Sequence, residues 1–265
     1  MMERICSTDG VVFYRSTLLA GAGAPHAFST RIGGVSEAPF HTLNLGNPSG
    51  QSAQDSPAHI RENYRRLLRA AGFDRQILTR VSQVHGTRVI EATRDSAQTP
   101  AVEADAIVTC DNQCAASVRV ADCVPVLLAT RDGRRVAAVH SGWRGVVAGV
   151  VPRAVKRLCG PTHVPEQLLV AVGPCIGFDA FEVGPEVLEQ FVRIWGMAAP
   201  VRSAGAGKGL VNLRRAVEMQ LLQLGIPPEQ IDISGCCTWR DSEEFYSHRR
   251  DRGLTGRMAA VIACL

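Results

Sequence analysis

Aromatic residues are scarce in this 265-residue chain, at 5% of positions. That scarcity argues against a broad stacking surface for bases or sugars. No window approaches the roughly 18 uninterrupted apolar residues of a membrane span. The seven histidines, at 26, 41, 59, 85, 140, 163 and 248, include no two closer than 15 positions. A clustered multicopper centre, which needs closely spaced imidazoles, is thereby disfavoured. The nine cysteines are scattered, odd in number and without a small-domain framework, which points to a reducing compartment. Glu3, Asp9 and Arg15 interrupt the early apolar stretch, so a signal peptide is not expected and the cytoplasm is. The formal net charge of +4 is modest and mostly carried by dispersed Arg. It gives no reason to expect nucleic acid or membrane as a partner.

What is present is an ordinary globular composition, 46% hydrophobic and 20% charged, with length enough for a large core. No linker or internal repeat divides the chain. "SPAHIRENYRRLLRAAG" predicts a helix, with Ser56 as N-cap, Pro57 in the first turn and Gly72 at the end. "VVAGVVPRAVKRLCG" predicts a buried helix that Pro152 either kinks or starts. "GPEVLEQFVRIWG" and "VNLRRAVEMQLLQLG" predict two more. Strands are expected in "GVVFYRSTLL", "ILTRVSQV", "RVIEAT", "ADAIVT", "ASVRVA", "LLVAVGP", "IDISGCCT" and "RMAAVIACL". Hairpin turns outnumber clean crossovers, so the expected class is α+β with mixed sheets.

The stretch "VRVADCVPVLLATRDGRRVAAVHSGWRG" carries the chemistry. If Asp132-Gly133 is a two-residue turn, His140 pairs with Pro125 and Cys123 with Gly142. Cys123 and His140 then share a sheet face as diagonal neighbours, ~7–8 Å apart at the backbone. That spacing suits a shared metal or a Cys–His dyad, and a different turn length is expected to break the parity. His85 in "VSQVHGTRV" stands where a strand pattern meets a glycine. One thiolate and two imidazoles suit Zn²⁺ and leave a fourth position for water or substrate. Asp122 could orient a ligand or take a proton. The bland alternative makes Cys123 a small core residue and His140 a strand end.

Other strings carry less. "SAGAGKGL" at 203–210 imitates a phosphate loop but has Gly209 after the lysine. Cys236-Cys237 and the Cys110/Cys114 pair lack a nearby histidine and read as structural.

At "STRIGGVS" 29–36, "LNLG" 43–46, "QVHG" 83–86, "ADCVPVLL" 121–128, "VHSGWRG" 139–145, "VGPCIG" 172–177, "FEVG" 181–184, "FYSHRRD" 245–251 and "TGRMA" 255–259, the chain resembles the laccase-domain family. That family is also called multicopper polyphenol oxidases, bacterial purine nucleoside phosphorylases or peptidoglycan editing factors. The resemblance implies one domain over residues 1–265, with mixed sheets packed as a sandwich and flanked by helices. It implies a catalytic zinc held by His85, Cys123 and His140. It also implies phosphorolysis of adenosine, inosine, guanosine and methylthioadenosine, and hydrolytic deamination of adenosine. Ser141, His248 and Asn212 depart from residues common in the family, and Asn212 weakens an acid–base role there.

Purine nucleosides and phosphate would then be the partners, and Arg31, Asn44 and Arg144 the candidate substrate contacts. The bland readings are salt bridges for the arginines and a turn-capping amide for Asn44. Three other functions compete: a metal-free Cys123/His140 hydrolase editing a cell-wall precursor, a copper-dependent polyphenol oxidase, and a non-catalytic anion-binding module. Copper at a single site would be an adventitious occupant. Oligomeric state is not legible.

Overall fold

Several strands of this chain are apolar at successive positions rather than at alternate ones, the pattern of a sheet covered on both faces. The computed structural model describes residues 2–48, 50–73, 75–95, 102–161 and 164–265; His163 lies outside them. In chain order the strands are β1 (Met2–Cys6), β2 (Val12–Ser16), β3 (His26–Ser29), β4 (Ile77–Arg80), β5 (Val89–Ala92), β6 (Ala106–Thr109), β7 (Cys114–Val120) and β8 (Val124–Thr130). They continue with β9 (Val136–Ser141), β10 (Leu168–Val172), β11 (Glu182–Val183), β12 (Val201–Gly205), β13 (Lys208–Val211), β14 (Ile231–Ile233) and β15 (Met258–Ala263). The helices are α1 (Thr17–Gly21), α2 (Pro57–Ala70), α3 (Trp143–Ala148), α4 (Val150–Cys159), α5 (Pro185–Trp195) and α6 (Leu213–Gln223).

Two six-stranded sheets carry the fold, ordered β1-β2-β3-β15-β7-β4 and β14-β10-β8-β9-β6-β5. Both are mixed, because β4 runs parallel to β7, β5 to β6 and β14 to β10. Side-chain parity builds the layers. Leu127, Ala129, Val136, Ala138 and Ile107 pack against Phe28, Val118, Ala260 and Ile262 of the other sheet. Their neighbours Val126, Leu128, Ala137 and Val139 point the other way, onto Val151, Val155, Phe191 and Val217 of the helices. The first sheet's outer face receives Tyr64 and Leu67 of α2. The result is the expected α+β sandwich flanked by helices.

Local signals hold where capping chemistry set them. Ser56 caps α2 by accepting a hydrogen bond from the Ala58 N–H. The apolar helix after β9 runs as two pieces, because Gly149 takes a φ of 80° and separates α3 from α4. Pro152 therefore sits in the first turn of α4 instead of kinking a long helix. "SAGAGKGL" is the β12–β13 hairpin, and β11–β13 form a small third sheet. The turn between β8 and β9 differs from the two-residue expectation: Thr130 N–H donates to Arg135 O at 3.0 Å, leaving four loop residues, 131–134. That loop has the same centre, so the register is the expected one, with Pro125 opposite His140 and Val124 opposite Ser141.

Candidate metal centre and its cavity

The two sheets exchange chain at one rim, and the three ligand candidates converge there. His85 lies between β4 of the first sheet and β5 of the second, at a φ of 59°. Cys123 lies between β7 and β8, again at a crossing from one sheet to the other, just after Asp122 at a φ of 87°. His140 is near the end of β9. One ligand atom from each residue falls within 4.8 Å of the others. Cys123 Sγ is 3.8 Å from His85 Nε2, and the two imidazole rings meet edge-on, centroids 4.8 Å apart. Among the described residues this is the only such group of three.

The backbone around the group leaves no slack. Gly142 stands opposite Cys123 in the continued β8–β9 register. A Cβ there would lie 2.7 Å from His85 Cδ2 and 3.1 Å from Cys123 Sγ. Only a glycine lets the strand end pass this close to two ligands.

Asp105, just before β6, organises the group from behind. It is fully buried and places Oδ1 2.8 Å from His140 Nδ1. A carboxylate only accepts, so Nδ1 carries the proton, and in the neutral ring that a metal would bind Nε2 is the nitrogen left with its lone pair. Oδ1 also accepts from the His85 N–H at 2.9 Å, and Oδ2 from the Gly86 N–H at 2.7 Å. One side chain thus fixes the ring of one imidazole and the backbone of the other, the outer-shell arrangement typical of metal-bound histidines. Sequence reasoning missed Asp105. The available signal was a lone acid at the start of an apolar strand, "ADAIVT".

Electrostatics follow from these contacts. Burial opposes ionisation of Asp105, yet the His140 hydrogen bond and the backbone N–H donors hold its carboxyl below the ordinary value. Burial also resists a charged Cys123, but the His140 charge and hydrogen bonds from both imidazoles outweigh it, bringing the thiol down to about 6. His140 moves the opposite way, to about 9: burial disfavours its cation, and Cys123 and Asp105 favour it more strongly. A thiolate at neutral pH is what a soft divalent ion needs.

The donor set fits zinc. Bonds of ~2.3 Å to sulfur and ~2.0–2.1 Å to nitrogen put tetrahedral ligand atoms somewhat closer together than the separations seen here, within reach of small side-chain movements. Three protein ligands leave one face open. That face looks into a cavity of about 440 Å³. Arg119, Arg144, Arg249 and Arg257 line it, and so do Trp143, Phe181 and His248.

The expected substrate contacts divide. Arg144 lines the cavity, its guanidinium 4.4 Å from the Trp143 ring centroid. Arg31 does not: its guanidinium donates to the carbonyls of His41 and Ser242 and lies over Tyr246. Asn44 is fully buried behind the wall, donating to Asp55 and accepting from the Gly46 and Arg257 N–H groups. A motif's position in the sequence does not fix the direction its side chains take. Asp122 lines the cavity, but its oxygens accept from Thr238 Oγ1 and the Arg249 N–H. Asn212 caps α6 by accepting from the Arg215 N–H.

The sequence model described as "Multi-copper polyphenol oxidoreductase laccase" matches residues 25–265. The chain is 39% identical over 240 residues to "Purine nucleoside phosphorylase YfiH" of Shigella flexneri, covering 91% of this chain and 93% of that one. It is 38% identical over 263 residues to "Purine nucleoside phosphorylase" of Deinococcus radiodurans, covering 97% and 94%. Among solved structures, YlmD from Geobacillus stearothermophilus superposes with a TM-score of 0.85 at 31% identity, covering 95% of this chain and 96% of that one.

Proposed function

Because the chain belongs to the multi-copper polyphenol oxidoreductase laccase family, whose relatives include proteins named purine nucleoside phosphorylase, we propose that it is a zinc-dependent purine nucleoside phosphorylase. We propose further that it deaminates adenosine at the same site. The observation that carries this reading is the His85–Cys123–His140 group, which opens on one side into an arginine-lined cavity. The cavity's volume suits a nucleoside-sized ligand. Trp143 and Phe181 offer apolar faces to a purine, and arginines suit phosphate oxygens. Confinement of those cations within a cavity favours a small anion over nucleic acid as the partner.

His85, Cys123 and His140 would hold the metal. A bound zinc would supply Lewis-acid polarisation and water activation. The chain's own residues do the rest. Asp105 keeps the Nδ1 proton of His140 and presents Nε2 forward. Arg144 stabilises negative charge developing on the substrate. The cavity walls hold the purine and the ribose in register and limit water.

A multicopper oxidase reading needs further ligands, and among the described residues no second group of three exists. Copper at this group is an adventitious occupant in our reading. No helix among the described residues is long and apolar enough to cross a membrane, and the free cysteines favour a reducing, cytoplasmic setting. The competing dyad, in which Cys123 acts as nucleophile without metal, has the Cys123–His140 electrostatic pairing in its favour.

The test is metal analysis together with product analysis. Wild type is expected to hold one zinc per chain. With phosphate it releases free purine from inosine, and it converts adenosine to inosine without phosphate. Cys123→Ala is expected to abolish both reactions, and His85→Ala to lose zinc. Full turnover by metal-free protein, or by His85→Ala, would replace this reading with the dyad.

A further inference from the structure

We propose that Arg119 and Arg257 form an oxyanion subsite in the cavity wall that holds inorganic phosphate as the attacking co-substrate. This rests on the phosphorylase reading.

Arg119 belongs to β7 and Arg257 directly precedes β15. The ladder pairs Arg119 with Ala259 and Val120 with Met258. Continued by one step, it makes Arg119 and Arg257 diagonal neighbours on one face, the spacing at which long side chains meet. Both line the cavity that holds the His85–Cys123–His140 group.

Their surroundings hold them in place without neutralising them. Gln83 accepts from the Arg119 N–H at 2.8 Å and donates to its carbonyl at 2.7 Å. Gly46 lies against the Arg119 side chain so closely that a Cβ would come within 2.8 Å of Nη1. Arg257 donates from Nη1 to the carbonyls of Thr255 and Gly256, at 2.9 and 3.0 Å. Its N–H donates to Asn44 Oδ1 at 2.9 Å. Asn44, expected from the sequence as a substrate contact, therefore acts by positioning Arg257.

Among the described residues neither guanidinium is ion-paired with a carboxylate. Asp122, which lines the same cavity, has given its oxygens to Thr238 and to the Arg249 N–H. Burial, and then the adjacent Arg119 cation, push Arg257 below its ordinary pKa. Two like charges at one part-buried wall are unfavourable until an anion joins them. A doubly charged oxyanion matches two guanidinium forks with parallel hydrogen bonds.

Held there, phosphate supplies the nucleophile. One of its oxygens forms the bond to C1′ of the ribose as the C1′–N9 bond breaks. The electron pair of that bond stays on N9 and takes a proton. The products are ribose 1-phosphate and the free base.

The experiment is inosine phosphorolysis at varied phosphate by zinc-loaded wild type, Arg119→Met, Arg119→Lys and Arg257→Met. Zinc content and Tm, with and without inorganic phosphate, are measured beside it. The expected result is a phosphate KM raised about 30-fold or more in both Met variants, the loss of a charge-assisted contact. Arg119→Lys is expected to show a smaller rise. The inosine KM should shift much less, zinc should remain at one per chain, and the phosphate-induced rise in Tm should vanish in both Met variants. A phosphate KM unchanged in folded, zinc-loaded Met variants would overturn the inference. So would an unchanged phosphate KM with weakened inhibition by a nucleoside 5′-monophosphate, which would assign the pair to an esterified phosphate. Arginine-dependent stabilisation by phosphate, with no ribose 1-phosphate formed by wild type, would instead sink the phosphorylase reading.

Discussion

Asp105 and His140 are joined twice: the His140 N–H donates to the Asp105 carbonyl at 2.8 Å, and His140 Nδ1 lies 2.8 Å from Asp105 Oδ1. Backbone and side chain thus set the ring together. Asp105→Asn keeps at Oδ1 an acceptor for His140 Nδ1 and the His85 N–H, but the amide NH2 that replaces Oδ2 cannot accept from the Gly86 N–H. Zinc affinity is expected to fall about 10–100-fold, measured by competition with a chromophoric chelator. An unchanged affinity would show that the imidazoles are positioned without this carboxylate.

Gly142→Ala tests the tightness of the same group from the other side. A methyl at 2.7 Å from His85 Cδ2 forces a ligand to move. An overpacking cost of about 1–3 kcal/mol is expected to appear as a zinc affinity lowered by about tenfold or more, with far-ultraviolet circular dichroism retained. Zinc bound as tightly as in wild type would show that the strand end yields instead.

A pH-dependent loss of stability is expected far from the cavity. His26 is buried, donates from Nδ1 to the Ala24 carbonyl and accepts the Ser16 N–H at Nε2, both at 2.8 Å. Burial pushes its pKa from 6.5 to about 4. The unfolded chain therefore binds a proton at a higher pH than the folded one. Stability is unaffected by this group above pH 6.5 and falls as pH drops from there toward 4, by about 3 kcal/mol in all. Urea midpoints across that range should show the decline, and His26→Gln should flatten part of it. Identical profiles for the two proteins would remove His26 as the cause.

The parts of the site legible in the sequence depended on local geometry. Cys123 and His140 were legible because the Asp132-Gly133 pair marks the centre of the β8–β9 loop, and the centre alone fixes the register. Two loop residues or four give the same pairing. α2 was legible from Ser56 and Pro57, whose capping roles act within one turn. Asp105 was not, because nothing near it says that β6 lies beside β9. Arg119 and Arg257 need the β7–β15 pairing, which joins distant parts of the chain. β12 was missed because "VRSAG" is almost wholly exposed and has no apolar alternation to betray it. Arg31 and Asn44 sit in recognisable motifs, yet one guanidinium is spent on carbonyls and the amide faces inward.

Two of the three ligand candidates stand where the chain steps across from one sheet to the other, and the third on a strand of the second sheet. Any ion gripping all three is therefore a rivet through the sandwich edge. Its binding free energy is shared with the docking of the sheets. Stripping the ion would loosen the rim before the interior, so amide exchange at 121–123, between β7 and β8, would quicken while β8 and β10 stayed protected. In such a molecule the candidate metal centre doubles as a gauge of whether the two halves are closed.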